Sequence, residues 1–133
     1  MRIDELLEAG DDLIRVRDWP TSASTVQRAA RVGLVLPILP GIYVRSARAT
    51  SPALRIRAAC AWSPRGAIHD KTAVELHLRQ PITLPIRLRA PHSANPATWL
   101  KVSRGVVPYP LEQDGLRVAS AVHACVEVAG HDG

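Results

Sequence analysis

The stretch SASTVQRAARVGLVLPILPGIYV, residues 22 to 44, most constrains what this chain can fold into. Its first half has a helical period. Ser24, Gln27, Arg28 and Arg31 fall at i, i+3, i+4 and i+7 on one polar face, with Val26, Ala29 and Ala30 opposite. Ser22 stands where an N-cap is required, Thr25 follows three residues on, and Gly33 marks the stop. Two apolar β segments, 34 to 39 and 42 to 44, then flank Pro40-Gly41, a turn dipeptide.

Helix, glycine and hairpin in this order match the reading half of a winged helix-turn-helix. Such a unit lays its helix in the major groove of a duplex and sets the hairpin beside the backbone. The preceding residues fit. Residues 3 to 9 pattern as a short helix with Ile3, Leu6 and Leu7 on one side, Asp4 as its cap and Gly10 as its stop. Leu13 and Ile14 lead into RVRDW, residues 15 to 19, expected as a second short helix closed by Pro20, with 19 to 22 as the tight turn. On this reading Gln27 suits adenine, and Arg28 and Arg31 suit guanine. Ser24 shares their face, Ser22 and Thr25 cap the helix or bond phosphate, and Arg15, Arg17 and Arg45 hold the backbone.

The charge supports a polyanionic partner. Residues 1 to 20 carry three basic and six acidic side chains, for −3. Residues 21 to 110 carry thirteen basic side chains against Asp70 and Glu75, for +11, and residues 111 to 133 set Arg117 against four acids, for −3. A cationic centre between acidic ends is the arrangement expected of a protein that neutralises phosphates. Only Trp19, Trp62, Trp99, Tyr43 and Tyr109 are aromatic, too few for a platform that stacks single-stranded bases.

The remainder mixes helices and strands. Residues 52 to 62 read as a helix opened by Ser51-Pro52, 67 to 69 as a short extended piece, and 71 to 78 as a helix begun by Asp70. From 82 to 89 the period becomes two, with Arg87 and Arg89 on the outer face and Pro85 suggesting an edge position or a bulge. Further strands are expected at 100 to 107 and 115 to 118. A final helix should run from Ser120 to 129, with a frayed tail from 130 to 133. The expectation is an α+β chain: a winged helix-turn-helix over residues 1 to 48, then a small helical and β region over 49 to 133.

Three strings, STVQRAARVGLVLPILPGIYV, SPALRIRAACAWSPRGAIHDKTAVELHL and GLRVASAVHACVEVA, together resemble the AbiEi-like antitoxins of type IV toxin–antitoxin systems, nearest their actinobacterial branch. The resemblance implies an N-terminal winged helix that represses the system's own operon, and a following region that neutralises a nucleotidyltransferase-like toxin. Residues 22 to 31 match the recognition helix and Gly41-Ile42-Tyr43 the wing. Relatives often place Arg in the wing strand where this chain has Leu34, Pro37 and Ile38, so Arg45 alone is left for that contact. The chain also stops where many relatives begin a domain similar to the very-short-patch-repair endonucleases, so it is expected to be a stand-alone N-terminal module, a truncated relative or an excised domain.

Other chemistries are poorly provided for. His69, Asp70, Glu75 and His77 do not share one helix face, and no H-E-x-x-H or zinc spacing occurs, so neither a metal, a cofactor nor catalysis is expected. Cys60 and Cys125 read as buried free thiols. No apolar run approaches the ~20 residues of a membrane span, and the acidic, helix-patterned N-terminus is not a signal peptide, so a cytoplasmic location is expected. The sequence leaves the oligomeric state open. Two other functions compete with a double-stranded-DNA-binding regulator: a partner-binding module working through residues 51 to 133, and the severed targeting half of an endonuclease.

Overall fold

The computed structural model describes residues 1–132 and is mixed α+β, with five α-helices and two sheets. It divides into two compact units, Met1–Trp62 and the remainder from Ser63. The break expected after residue 48 therefore falls after Trp62. Helix α3 (Pro52–Trp62) packs on all three strands of the first unit, which is why it belongs there.

In the first unit, α1 (Ile3–Ala9) buries Leu6 and Leu7. Its N-terminus is closed by Glu5, whose Oε1 accepts the Arg2 N–H at 3.3 Å, and not by Asp4. At Gly10 a Cβ would run into the Leu13 carbonyl, and Asp11 and Asp12 then turn the chain with φ of 50° and 73°. The helix expected over 15 to 19 is not formed. Leu13–Arg15 is instead strand β1, and only single 3-10 turns follow, at Val16–Asp18 and Pro20–Ser22. Pairing with a distant strand satisfies the backbone of Leu13–Arg15 and buries Ile14 completely, an outcome three residues of local pattern could not announce.

Helix α2 (Ala23–Arg31) comes next, buried through Val26 and Ala29. Gly33, at φ 83°, leads into β2 (Val35–Leu39), and Gly41, at φ 73°, turns it into β3 (Ile42–Arg45). The sheet order is β1-β3-β2, antiparallel throughout. Leu6, Leu7, Ile14, Val26, Ala29 and Val35 form its core, with Ile3, Trp19 and Tyr43 packed around them.

The second unit holds a five-stranded sheet in the order β6-β5-β4-β8-β7. Its strands are β4 (Ala67–Ile68), β5 (Ile86–Ala90), β6 (Leu100–Arg104), β7 (Leu111–Gln113) and β8 (Leu116–Val118). Pro85 precedes β5 and does not mark an edge, because β5 lies inside the sheet between β4 and β6. Strand β7 was unexpected; Asp114 and Gly115, at φ 52° and 78°, join it to β8 in the turn that Asp-Gly favours. Helices α4 (Asp70–His77) and α5 (Ala121–Asp132) pack together. Ser120 Oγ accepts the His123 N–H at 3.2 Å and so caps α5. The fraying expected from residue 130 is not seen as far as Asp132, and Gly133 lies outside the described residues. Neither cysteine is in a disulfide, and only Cys60 is buried, while Cys125 is exposed on α5. Among the described residues no helix is long and apolar enough to cross a membrane.

Candidate nucleic-acid interface

Helix α2 owes its position to burial of one stripe. Val26 and Ala29 are sunk in the first unit's core, which turns Ser24, Gln27, Arg28 and Arg31 outward. All four are exposed, and Thr25 is half-buried at their edge. Among the described residues neither Arg28 nor Arg31 enters an ion pair. Arg17 is also exposed and unpaired there, on the turn that leads towards α2.

The other three residues expected at this face are otherwise engaged. Ser22 is buried at 5 % exposure and makes no side-chain cap bond, so it reaches neither phosphate nor the helix N-terminus. Arg15 holds Asp18 through two bonds, Nε to Oδ2 at 2.9 Å and Nη2 to Oδ1 at 2.8 Å, and donates from Nη1 to the Ala61 carbonyl at 3.3 Å. Arg45 donates from Nε to Asp12 Oδ1 at 2.8 Å, and Arg48 takes Asp12 Oδ2 at 2.9 Å. The hydrogen bond from Arg45, followed by that from Arg48, holds the Asp12 carboxyl below its ordinary range. Arg57 donates to the Gly10 and Asp11 carbonyls at 2.7 and 2.9 Å.

The charge segregation seen along the chain is thus largely cancelled within the first unit. Asp11, Asp12 and Asp18, from the acidic end, take up Arg15, Arg45, Arg48 and Arg57. On α2 and the turn before it, Arg17, Arg28 and Arg31 stay available to a polyanion, with Ser24, Thr25 and Gln27 between them.

The second unit assembles a polar cluster that sequence reasoning missed. Glu127 of α5 accepts from His69 Nδ1 at 2.9 Å and from the Asp70 N–H at 3.2 Å, with Arg89 Nη2 at 3.3 Å and His123 Nε2 at 3.4 Å. Asp70, held at φ 56° and buried, meets His131 Nε2 at 2.9 Å and Arg87 Nη1 at 3.9 Å. The carboxylate can only accept, so His69 carries its proton on Nδ1, and its Nε2 is buried without a partner. Burial pushes the His69 imidazole below its ordinary pKa, against a smaller upward pull from Glu127. For Glu127 burial acts upward, but the hydrogen bonds from His69 and the Asp70 N–H outweigh it and leave the carboxyl lowered.

Arg87 and Arg89, expected as a basic outer face, are therefore committed to Asp70 and Glu127. Glu75 accepts from the Thr83 N–H and hydroxyl, and His77 Nε2 lies 2.7 Å from the Ala119 carbonyl, so these two point to partners other than the cluster. Among the described residues no group of three or more His, Cys, Asp or Glu is placed to hold a metal ion. His69 Nε2 and Arg89 Nε are left buried without a partner, and the cluster's remaining contacts fasten α5 to α4 and β5. Compared with models of protein families, with characterised proteins and with solved structures, the chain has no match.

Proposed function

We propose that the first unit is a winged helix-turn-helix that binds double-stranded DNA, with α2 as the recognition helix and the β2–β3 hairpin as the wing. The order α1, β1, α2, β2, β3 with β1 paired to β3 supports this reading; the helix that normally precedes recognition is reduced here to two 3-10 turns. The observation that carries it is the outward face of Ser24, Gln27, Arg28 and Arg31, polar, exposed and with both arginines unpaired among the described residues. Gln27 reads adenine, and Arg28 and Arg31 read guanine or hold phosphate. Arg17 anchors the backbone beside them. The chain then acts as a sequence-specific transcriptional regulator, as its resemblance to AbiEi-like antitoxins implies, on an operator such as its own promoter.

Selection of binding sites from a random duplex library, followed by gel shift on the enriched sequence, tests the proposal. Arg28→Ala with Arg31→Ala should weaken binding by roughly a hundredfold, the loss of two contacts worth about 1–3 kcal/mol each. The thermal midpoint should hold, because both side chains are exposed. Unchanged affinity in the double variant, or failure of the library to enrich, removes the assignment.

A further inference from the structure

An open groove of about 550 Å3 lies between residues 1–3, at the start of α1, and one flank of α2 with the turn that follows it. Its floor is apolar. Ile3 comes from α1, Ala29 and Val32 from the far edge of α2, and Leu34 from the turn after it. Val32 is 73 % exposed and Leu34 52 %, although both belong to residue types that are ordinarily buried. Three guanidinium side chains, Arg2, Arg28 and Arg31, line the same groove, and no carboxylate does.

The geometry points to a protein partner that docks here through an acidic amphipathic helix. The floor's own exposure rules against a small ligand, since a site for one encloses most of the ligand's surface. An open apolar floor rimmed by cations suits an amphipathic helix with apolar anchors at i, i+3 or i+4, and i+7. Charge complementarity selects the partner's flanks: three cations without a lining anion favour Glu and Asp there and repel Lys and Arg. An apolar floor offers nothing to a phosphate backbone, so duplex DNA is not the occupant of the groove itself.

Arg28 and Arg31 stand on the border of two surfaces. They belong to the outward polar face of α2 and they line the groove. A helix seated on Val32 and Leu34 draws both guanidiniums to its carboxylates and away from a duplex, so partner and DNA exclude one another. This exclusion rests on the DNA-binding reading above, whereas occupancy of the groove does not.

The test uses the full chain and a labelled two-turn-or-longer helical peptide with Leu at i, i+4 and i+7 and Glu on both flanks, read by fluorescence anisotropy. The peptide should bind saturably. A scrambled peptide of the same composition and a Lys-for-Glu peptide should each bind at least tenfold more weakly. Val32→Glu or Leu34→Glu should weaken binding by roughly tenfold, about the worth of one buried aliphatic side chain, with an unchanged circular dichroism spectrum. Equal binding of the scrambled peptide, or indifference to both variants, overturns the proposal. Concentration-dependent self-association that Val32→Glu abolishes would also overturn it, by giving the groove to a second copy. In a separate arm, the peptide added to a complex with the enriched duplex should release the DNA; a stable ternary complex overturns the exclusion. If no duplex binds at all, the reading of α2 fails while the peptide arm still decides the groove.

Discussion

Arg45 and Asp12 hold each other twice: the Arg45 N–H donates to the Asp12 carbonyl at 3.0 Å, and the Arg45 Nε to the Asp12 Oδ1 at 2.8 Å. The end of the β2–β3 hairpin is thereby tied to the turn that opens β1, across 33 residues of sequence. A basic residue at the foot of a wing is an obvious phosphate ligand, yet this one is spent on the fold.

Asp12→Asn should therefore destabilise the first unit at neutral pH and matter less in acid. The folded carboxyl lies below its ordinary value of 3.8, so its contribution is complete above that value and is lost as pH falls through the lower folded one. Urea unfolding of the wild type and of the variant should give midpoints that differ at pH 7 and converge below about pH 4. A constant difference down to pH 2 would refute the Asp12 assignment.

Glu127→Ala strips His69, Arg89 and the Asp70 N–H of a shared acceptor at a mostly buried site. The expected cost is about 2–4 kcal/mol, measurable by denaturant titration. His69 has its own signature. Its folded pKa is lowered, so the folded state resists protonation, and stability present above the ordinary 6.5 declines as pH drops below it. His69→Asn keeps a donor towards Glu127 without titrating, and should remove that part of the acid sensitivity.

Gly41 turns the hairpin at φ 73° with open space where a Cβ would stand, so only the backbone conformation opposes a side chain. Gly41→Val should cost about 1–2 kcal/mol, whereas Gly41→Asn, which tolerates the left-handed region, should cost less. Thermal melts of the two variants check the order.

DNA binding should fall steeply with salt, and Arg17→Ala should lower the slope of log K against log salt by about 1 if Arg17 holds one phosphate. Arg15→Ala should act differently, reducing stability by loss of Asp18 and the Ala61 carbonyl while leaving the slope nearly unchanged. Equal slopes for wild type and Arg17→Ala would take Arg17 out of the interface.

Legibility in the sequence followed the range of the cause. The polar face of α2, the stops at Gly10 and Gly33 and the hairpin at Pro40-Gly41 are written within a few residues and could be read. Strand β1 could not. Three residues display no period, and the partner that makes Leu13–Arg15 extended lies about thirty residues away. Strand β7 had a local sign, Asp114-Gly115, that pattern reading passed over because the flanking residues Leu111–Gln113 are exposed and barely apolar. The meeting of His69 with Glu127, 58 residues apart, leaves no local trace. The same is true of the aspartates that cancel Arg45 and Arg48: counting charge by segment made the centre look freer than folding leaves it.

The unequal exposure of the two cysteines makes the chain its own gauge of opening. A thiol-alkylating dye should mark Cys125 at once and reach Cys60 only when α3 leaves its seat, so one equivalent reports an intact molecule and two a disrupted one. Any first-unit variant described above can then be sorted, in a single tube and without DNA, into those that loosen that unit and those that merely alter its surface.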